Sequence, residues 1–247
     1  MMNQNNLELS RKIIIALDVK NRDEARKVLE SLPEARIFKV GLELYTAEGP
    51  AMIELVKSYG KEVFLDLKLH DIPNTVAGAV RSAVRHGISM LTLHTSGGRE
   101  MMSKAVESAR ETAEKEGKPV PLLLGVTVLT SLSDSELEEI GYRLDSKNQV
   151  LRLARLALDS GLKAIVCSPQ EIELLRSELG SEIKLITPGI RPAWAEAQDQ
   201  KRIMTPAEAI SKGADFLVIG RPITRAPVPR EAFSRVVEEL KASVKRT

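Results

Sequence analysis

Two charges interrupt an apolar run in the segment VFLDLKLHDIPNT, residues 63–75. Val63, Phe64, Leu65, Leu67 and Leu69 read as a short buried strand. Asp66 and Lys68 stand at i and i+2, so a regular strand would send both side chains out of one face. A carboxylate and an ammonium there are costly to desolvate unless they pair or do charge-driven chemistry. Asp71 comes next, after His70, where Pro73 and Asn74 mark the end of the strand and the start of a helix. The pattern is D-x-K-x-x-D at the carboxyl end of a strand. The alternative is a structural ion pair beneath a loop.

The elements that must position these groups recur along the chain. Strand-like runs occur at Ile13–Leu17, Ile37–Val40, Val63–Lys68, Met90–His94, Leu122–Val128, Ala164–Cys167, Lys184–Thr187 and Phe216–Ile219. Helical periodicity follows each, as in Met52, Leu55, Val56 and Tyr59, or Phe233, Val236, Val237, Leu240 and Val244. Gly60, Gly87, Gly161 and Gly213 stand where a helix would close ahead of a strand. Ser168-Pro169-Gln170-Glu171 and Thr205-Pro206-Ala207-Glu208 supply an N-cap, a first-turn proline and a capping-box glutamate. This alternation predicts an α/β protein, a single-domain (β/α)8 TIM barrel over residues 11–247, after a loosely ordered extension at 1–10. An open doubly wound sheet would want a GxGxxG turn after its first strand, and none is present.

In such a barrel the chemistry lies at the carboxyl ends of the strands. Polar residues collect there: Asp18, Lys39, Asp66, Lys68, Asp71, His94, Thr127, Thr130, Ser131, Arg191 and Arg221. Gly220-Arg221-Pro222, after the last strand, suits a phosphate held by backbone N–H groups and a guanidinium, with Arg191 and the loop Pro192–Gln200 nearby. His94 fits a satisfied structural group as well as a ligand contact. His86 falls in the last turn of a helix, where it suits the dipole. Trp194 reads as a lid residue or as a packing anchor.

Composition excludes several functions. The 247 residues carry 36 Lys+Arg against 34 Asp+Glu, a net charge of +2 that gives no reason to expect nucleic acid or an anionic membrane as partner. The N-terminus MMNQNNLELSRK lacks the apolar core of a signal peptide, and no run reaches transmembrane length. Cys167, the single cysteine, rules out an intrachain disulfide, reads as a packed thiol within AIVCS, and agrees with a cytoplasmic location. Three histidines without HExxH or CxxC company give no reason to expect a protein-built transition-metal site.

Asp18 in IIIALD, Lys39 in FKVG, DLKLHDIPNT, VTVLTS, TPGIRP, the segment holding Asp199, Gln200 and Arg202–Pro206, and VIGRPIT together resemble the orotidine 5′-phosphate decarboxylase family of the bacterial type. The resemblance spans the first strand to the last, about nine-tenths of the chain. D-x-K-x-x-D alone is shared with sugar-phosphate relatives of the same barrel superfamily. The resemblance implies Lys68 as proton donor and Asp66 as the carboxylate beside the leaving CO2. Lys39 would complete an alternating charge network with Asp66, Lys68 and Asp71, and with Asp18 would hold ribose hydroxyls. Asp71 and Thr75 would serve the neighbouring subunit's site in a homodimer. Thr130 would contact the pyrimidine, and Gln200, Gly220 and Arg221 the phosphate, with Arg191 on the closing loop. The loop departs from the family: Trp194, Ala195 and Gln198 stand where smaller, glycine-richer sequence is expected.

The implied reaction needs such groups. Decarboxylation at C6 of a pyrimidine leaves an electron pair in the ring plane, outside the π system. The resemblance implies no cofactor and no metal, so an ammonium must stabilise the carbanion and return the proton. The rival members of the superfamily act on keto-sugar phosphates through a magnesium ion, and need an acidic residue on the second strand, where this chain has Lys39. A rival of another class is a silent phosphate-binding barrel, which would be expected to lose Lys68 or an Asp partner.

Overall fold

All eight apolar runs form strands in the computed structural model, which describes residues 4–195 and 204–244. They are β1 (Ile13–Ala16), β2 (Ile37–Gly41), β3 (Glu62–Leu69), β4 (Met90–His94), β5 (Leu122–Val126), β6 (Ala164–Val166), β7 (Lys184–Thr187) and β8 (Phe216–Ile219). They close into a barrel in sequence order. β8 returns beside β1 in parallel, with Leu217, Val218 and Ile219 opposite Ile13, Ile14 and Ile15. The helices among them are α1 (Gln4–Ser10), α2 (Arg22–Ser31), α3 (Leu42–Glu48), α4 (Ala51–Ser58), α5 (Pro73–Arg85), α6 (Gly98–Lys115), α7 (Asp134–Glu139), α8 (Ser146–Asp159), α9 (Ile172–Leu179), α10 (Pro206–Ser211), α11 (Arg221–Thr224) and α12 (Pro229–Val244). This is the expected (β/α)8 barrel. It is elaborated where Gly49-Pro50 splits the second connection, where α7 precedes α8, and where α11 precedes α12.

The local signals act as their chemistry requires. Thr205 Oγ1 accepts the Glu208 N–H at 3.3 Å while the Glu208 carboxylate accepts the Thr205 N–H at 3.0 Å, so α10 starts on a reciprocal cap. The Glu171 carboxylate accepts the Ser168 N–H at 2.8 Å and fixes the turn leading into α9. Gly60, Gly87, Gly161 and Gly213 all adopt positive φ, the conformation that lets each helix reverse into the following strand.

Two compact units make up the chain, Met1–Asp66 with Thr187–Thr247, and Leu67–Ile186. In the first, Ile13, Ile14, Ile15, Phe38 and Leu217 are fully buried, as are Phe233, Val236 and Leu240 along one face of α12. In the second, Leu91, Leu93, Leu124, Ile165 and Leu185 are equally buried, and α5 lies against α6 with Ser108 Oγ donating to the Ala77 carbonyl at 2.9 Å. Each such large side chain contributes about 1.5–3 kcal/mol when removed from water. Cys167 is buried, as read from its apolar neighbours. Among the described residues no helix is long and apolar enough to cross a membrane.

The N-terminus differs from expectation. Residues 1–10 read as loosely ordered, yet Gln4–Ser10 is helical. Leu9 and Ser10 are buried, and Asn6 Nδ2 donates to Glu238 Oε1 on α12 at 3.0 Å. A buried apolar anchor, Leu9, and the Asn6–Glu238 hydrogen bond to a distant helix hold it, and neither produces a periodic pattern.

Candidate active site

Strand register assembles the first cluster of charges. Ala16 on β1 stands opposite Lys39 on β2, and Gly41 stands opposite Asp66 on β3. Paired residues of parallel neighbours share a face, as do residues two apart on one strand. Lys39, Gly41 and Asp66 therefore face one way, and Asp18 follows two residues after Ala16. The Lys39 ammonium lies 3.0 Å from Asp18 Oδ1 and 3.7 Å from Asp66 Oδ2. The Lys39 and Asp66 side chains are only 12% and 13% exposed, against 57% for Asp18. Charges this little exposed are costly to desolvate unless they are paired. Glycines make the approach possible: a β-carbon at Gly220 would lie 3.3 Å from Ala16 Cβ and 3.5 Å from Asp18 Oδ2.

Lys68 follows two residues after Asp66 on β3, but the strand is not regular there. Its φ is +49°, so the simple alternation that would place Asp66 and Lys68 on one face is broken at the lysine itself. Its backbone N–H donates to Thr92 Oγ1 on β4 at 2.9 Å. His70 and His94 bring their rings to 5.3 Å between centroids, tilted by 39°. His86 caps the end of α5. Asp71 is exposed just beyond the strand, where its Oδ1 accepts the Ile72 N–H at 2.6 Å. Thr75 is exposed in the first turn of α5, and Thr130 is exposed beyond β5.

The candidate phosphate groups lie after β7 and β8. Gly220 follows β8 as the N-cap of α11, which Arg221 opens with Pro222 behind it. Arg191 is 6% exposed, and its backbone N–H donates to the Met204 carbonyl at 3.0 Å beside the Ile190–Met204 bridge. Gln200, with Gln198, Asp199 and Arg202, lies outside the described residues. Trp194 packs as an anchor: the Arg235 guanidinium of α12 sits 4.3 Å from its ring centroid. On the same helix Glu239 accepts the Ala207 N–H at 3.5 Å, and burial raises its pKa above the usual carboxylate range.

Thr92 and Gly41 escape a reading of the sequence. For Thr92 the available signal is a lone hydroxyl inside the apolar run MLTLH. For Gly41 there is none, since its role is the space it leaves beside Lys39.

A (β/α)8 barrel with charges gathered at the carboxyl ends of its strands has the build of a barrel enzyme. The model of the Orotidine 5′-phosphate decarboxylase / HUMPS family matches residues 11–236, and the chain belongs to that family. It is 54% identical over 231 residues to an orotidine 5′-phosphate decarboxylase of Opitutus terrae, covering 93% of this chain and 98% of the relative. It is 49% identical over 236 residues to the enzyme of that name from Geotalea daltonii, covering 95% and 98%. The crystal structure of orotidine 5′-phosphate decarboxylase from Lactobacillus acidophilus superposes with a TM-score of 0.82 at 37% identity, over 93% of this chain and 99% of that one.

Proposed function

We propose that this protein converts orotidine 5′-phosphate to UMP and CO2 in pyrimidine biosynthesis, without metal or organic cofactor. The observation that carries the reading is the Lys39 ammonium held 3.0 Å from Asp18 and 3.7 Å from Asp66. The family also contains members acting on keto-sugar phosphates. A magnesium-dependent mechanism of that kind would need a carboxylate where this chain has Lys39, whose fixed positive charge repels a divalent cation.

In the reaction the bond between C6 and its carboxylate breaks, CO2 departs, and the electron pair stays on C6. Lys68 stabilises that pair and transfers a proton from Nζ to C6, then recovers one from solvent. Asp66 lies beside the departing CO2. Lys39, Asp66, Lys68 and Asp71 form an alternating charge network around the reacting carbon. Lys39 and Asp18 hold the ribose hydroxyls, and Thr130 contacts the pyrimidine. Gln200, Gly220 and Arg221 hold the phosphate, with Arg191 beside them. Binding energy from this remote end organises the charges around C6, which raises turnover as well as affinity.

Each site takes Asp71 and Thr75 from the partner in a cytoplasmic homodimer. Ile72, beside Asp71, is 67% exposed, apolar surface that a second subunit would cover. The test is loss of orotidine 5′-phosphate absorbance, followed with and without prior EDTA treatment. Decarboxylation at the same rate in both supports the reading. Activity restored only by magnesium moves the protein to the sugar-phosphate branch, and no reaction at all removes the assignment.

A further inference from the structure

We infer that Thr92 is a positioning residue for the Lys68 ammonium, acting through the Lys68 backbone. Among the described residues Lys68 is the one non-glycine residue in the left-handed region, at φ +49°. Lysine has neither the missing β-carbon of glycine nor the short polar side chain with which Asn and Asp tolerate that region. A residue stays in such a conformation only where its surroundings over-determine it, and such residues cluster at functional sites.

The determinant is a hydroxyl. The Lys68 N–H donates to Thr92 Oγ1 at 2.9 Å. Thr92 is fully buried in the middle of β4, in register with Leu124 of β5, and flanked by Leu91 and Leu93, themselves fully buried. Its β-branched side chain has few open rotamers, so the acceptor is fixed in place. A strand N–H ordinarily meets a carbonyl of the neighbouring main chain. Here a side-chain oxygen accepts it, and the Leu67–Lys68 peptide takes the rotation that this oxygen dictates. The direction in which the Lys68 side chain leaves β3 follows from that rotation. Thr92 thus aims the ammonium without touching the substrate.

This inference rests on the proposed role of Lys68 as proton donor, and the experiment separates the two. Thr92→Val keeps the shape and removes the acceptor, Thr92→Ser restores it, and Thr92→Ala serves should the valine variant prove insoluble. Lys68→Ala is assayed alongside. For Thr92→Val, kcat should fall by about 10- to 100-fold, the scale of a misplaced reacting group. KM for orotidine 5′-phosphate and the Kd of UMP should stay within about threefold, because the loss is confined to the transition state. Thr92→Ser should return kcat to within about threefold of the parent. A merely structural threonine would not give this split between kcat and KM, nor the rescue by serine. The inference is overturned if Thr92→Val keeps parental kcat, if KM rises while kcat holds, or if serine is as slow as valine. Should Lys68→Ala itself remain active, the proton-donor reading fails first. An inactive Lys68→Ala beside a fully active Thr92→Val sinks the positioning role alone.

Discussion

A β-carbon at position 41 would stand 3.0 Å from the Lys39 ammonium, so the glycine that ends β2 is what leaves that charge its place. The backbone there is extended, with φ −96° and ψ −177°, which alanine adopts without strain. Gly41→Ala therefore acts through crowding of the ammonium and not through the chain. We expect kcat/KM to fall by roughly tenfold or more, with stability changed by less than about 1 kcal/mol. Steady-state kinetics and urea unfolding on the same preparation check both. An unchanged kcat/KM would mean that Lys39 relocates without consequence, against a fixed charge network.

Chemistry and binding should separate by residue. Lys68→Ala should abolish nearly all turnover while the protein folds and binds UMP. Arg221→Ala should instead weaken UMP by about 1.5–3 kcal/mol, the range for a lost charge-assisted contact. Titration calorimetry with UMP, beside the decarboxylation assay, reads both effects. Substantial turnover in Lys68→Ala would show that the proton comes from elsewhere.

The eight strands were legible because a strand buried in a barrel reads as an apolar run between turn signals, and none of these runs depends on a distant partner for its pattern. The caps at Ser168 and Thr205 were legible for a similar reason, since a capping box is complete within four residues. The Asp18–Lys39–Asp66 cluster was legible as a list of strand-end charges but not as a geometry. Its spacing depends on register, which pairs Ala16 with Lys39 and Gly41 with Asp66. The left-handed turn of Lys68 was not legible at all. Lysine carries no preference for it, and its hydrogen-bond acceptor lies on the next strand, 24 residues on. Helix α1 was missed because its attachment to Glu238 joins opposite ends of the chain.

Acid should weaken the start of α10. Hydrogen bonds from Thr205, first from its hydroxyl and then from its backbone N–H, hold the Glu208 pKa below the usual glutamate range. A depressed folded pKa means that the carboxylate contributes stability above the unfolded value, about 4.3, and loses it as pH falls through the folded value. Glu208→Ala should cost about 0.5–1 kcal/mol at pH 7, the scale of a lost cap. The gap from the parent should narrow when urea unfolding is repeated at acid pH, below the unfolded value. A gap that stays constant or widens with acid would show that the ionised carboxylate contributes nothing there.

The shared site can be tested by mixing. Asp71 lies past the end of β3, exposed, while Asp66 and Lys68 lie within the strand. If Asp71 serves the partner, Lys68→Ala and Asp71→Asn place their lesions in different sites of a mixed dimer. One site then receives both lesions. The other pairs an intact Asp66 and Lys68 from one chain with an intact Asp71 from its partner. Random exchange at equal amounts makes about half of all dimers mixed, so roughly a quarter of all sites are native by the geometry of an isologous pair. Each variant alone should be nearly inactive, and activity should climb toward that fraction as subunits exchange. Exchange is followed independently, by mass spectrometry of an isotopically labelled variant. Verified exchange without recovered activity would place Asp71 in its own chain's site and refute the shared one.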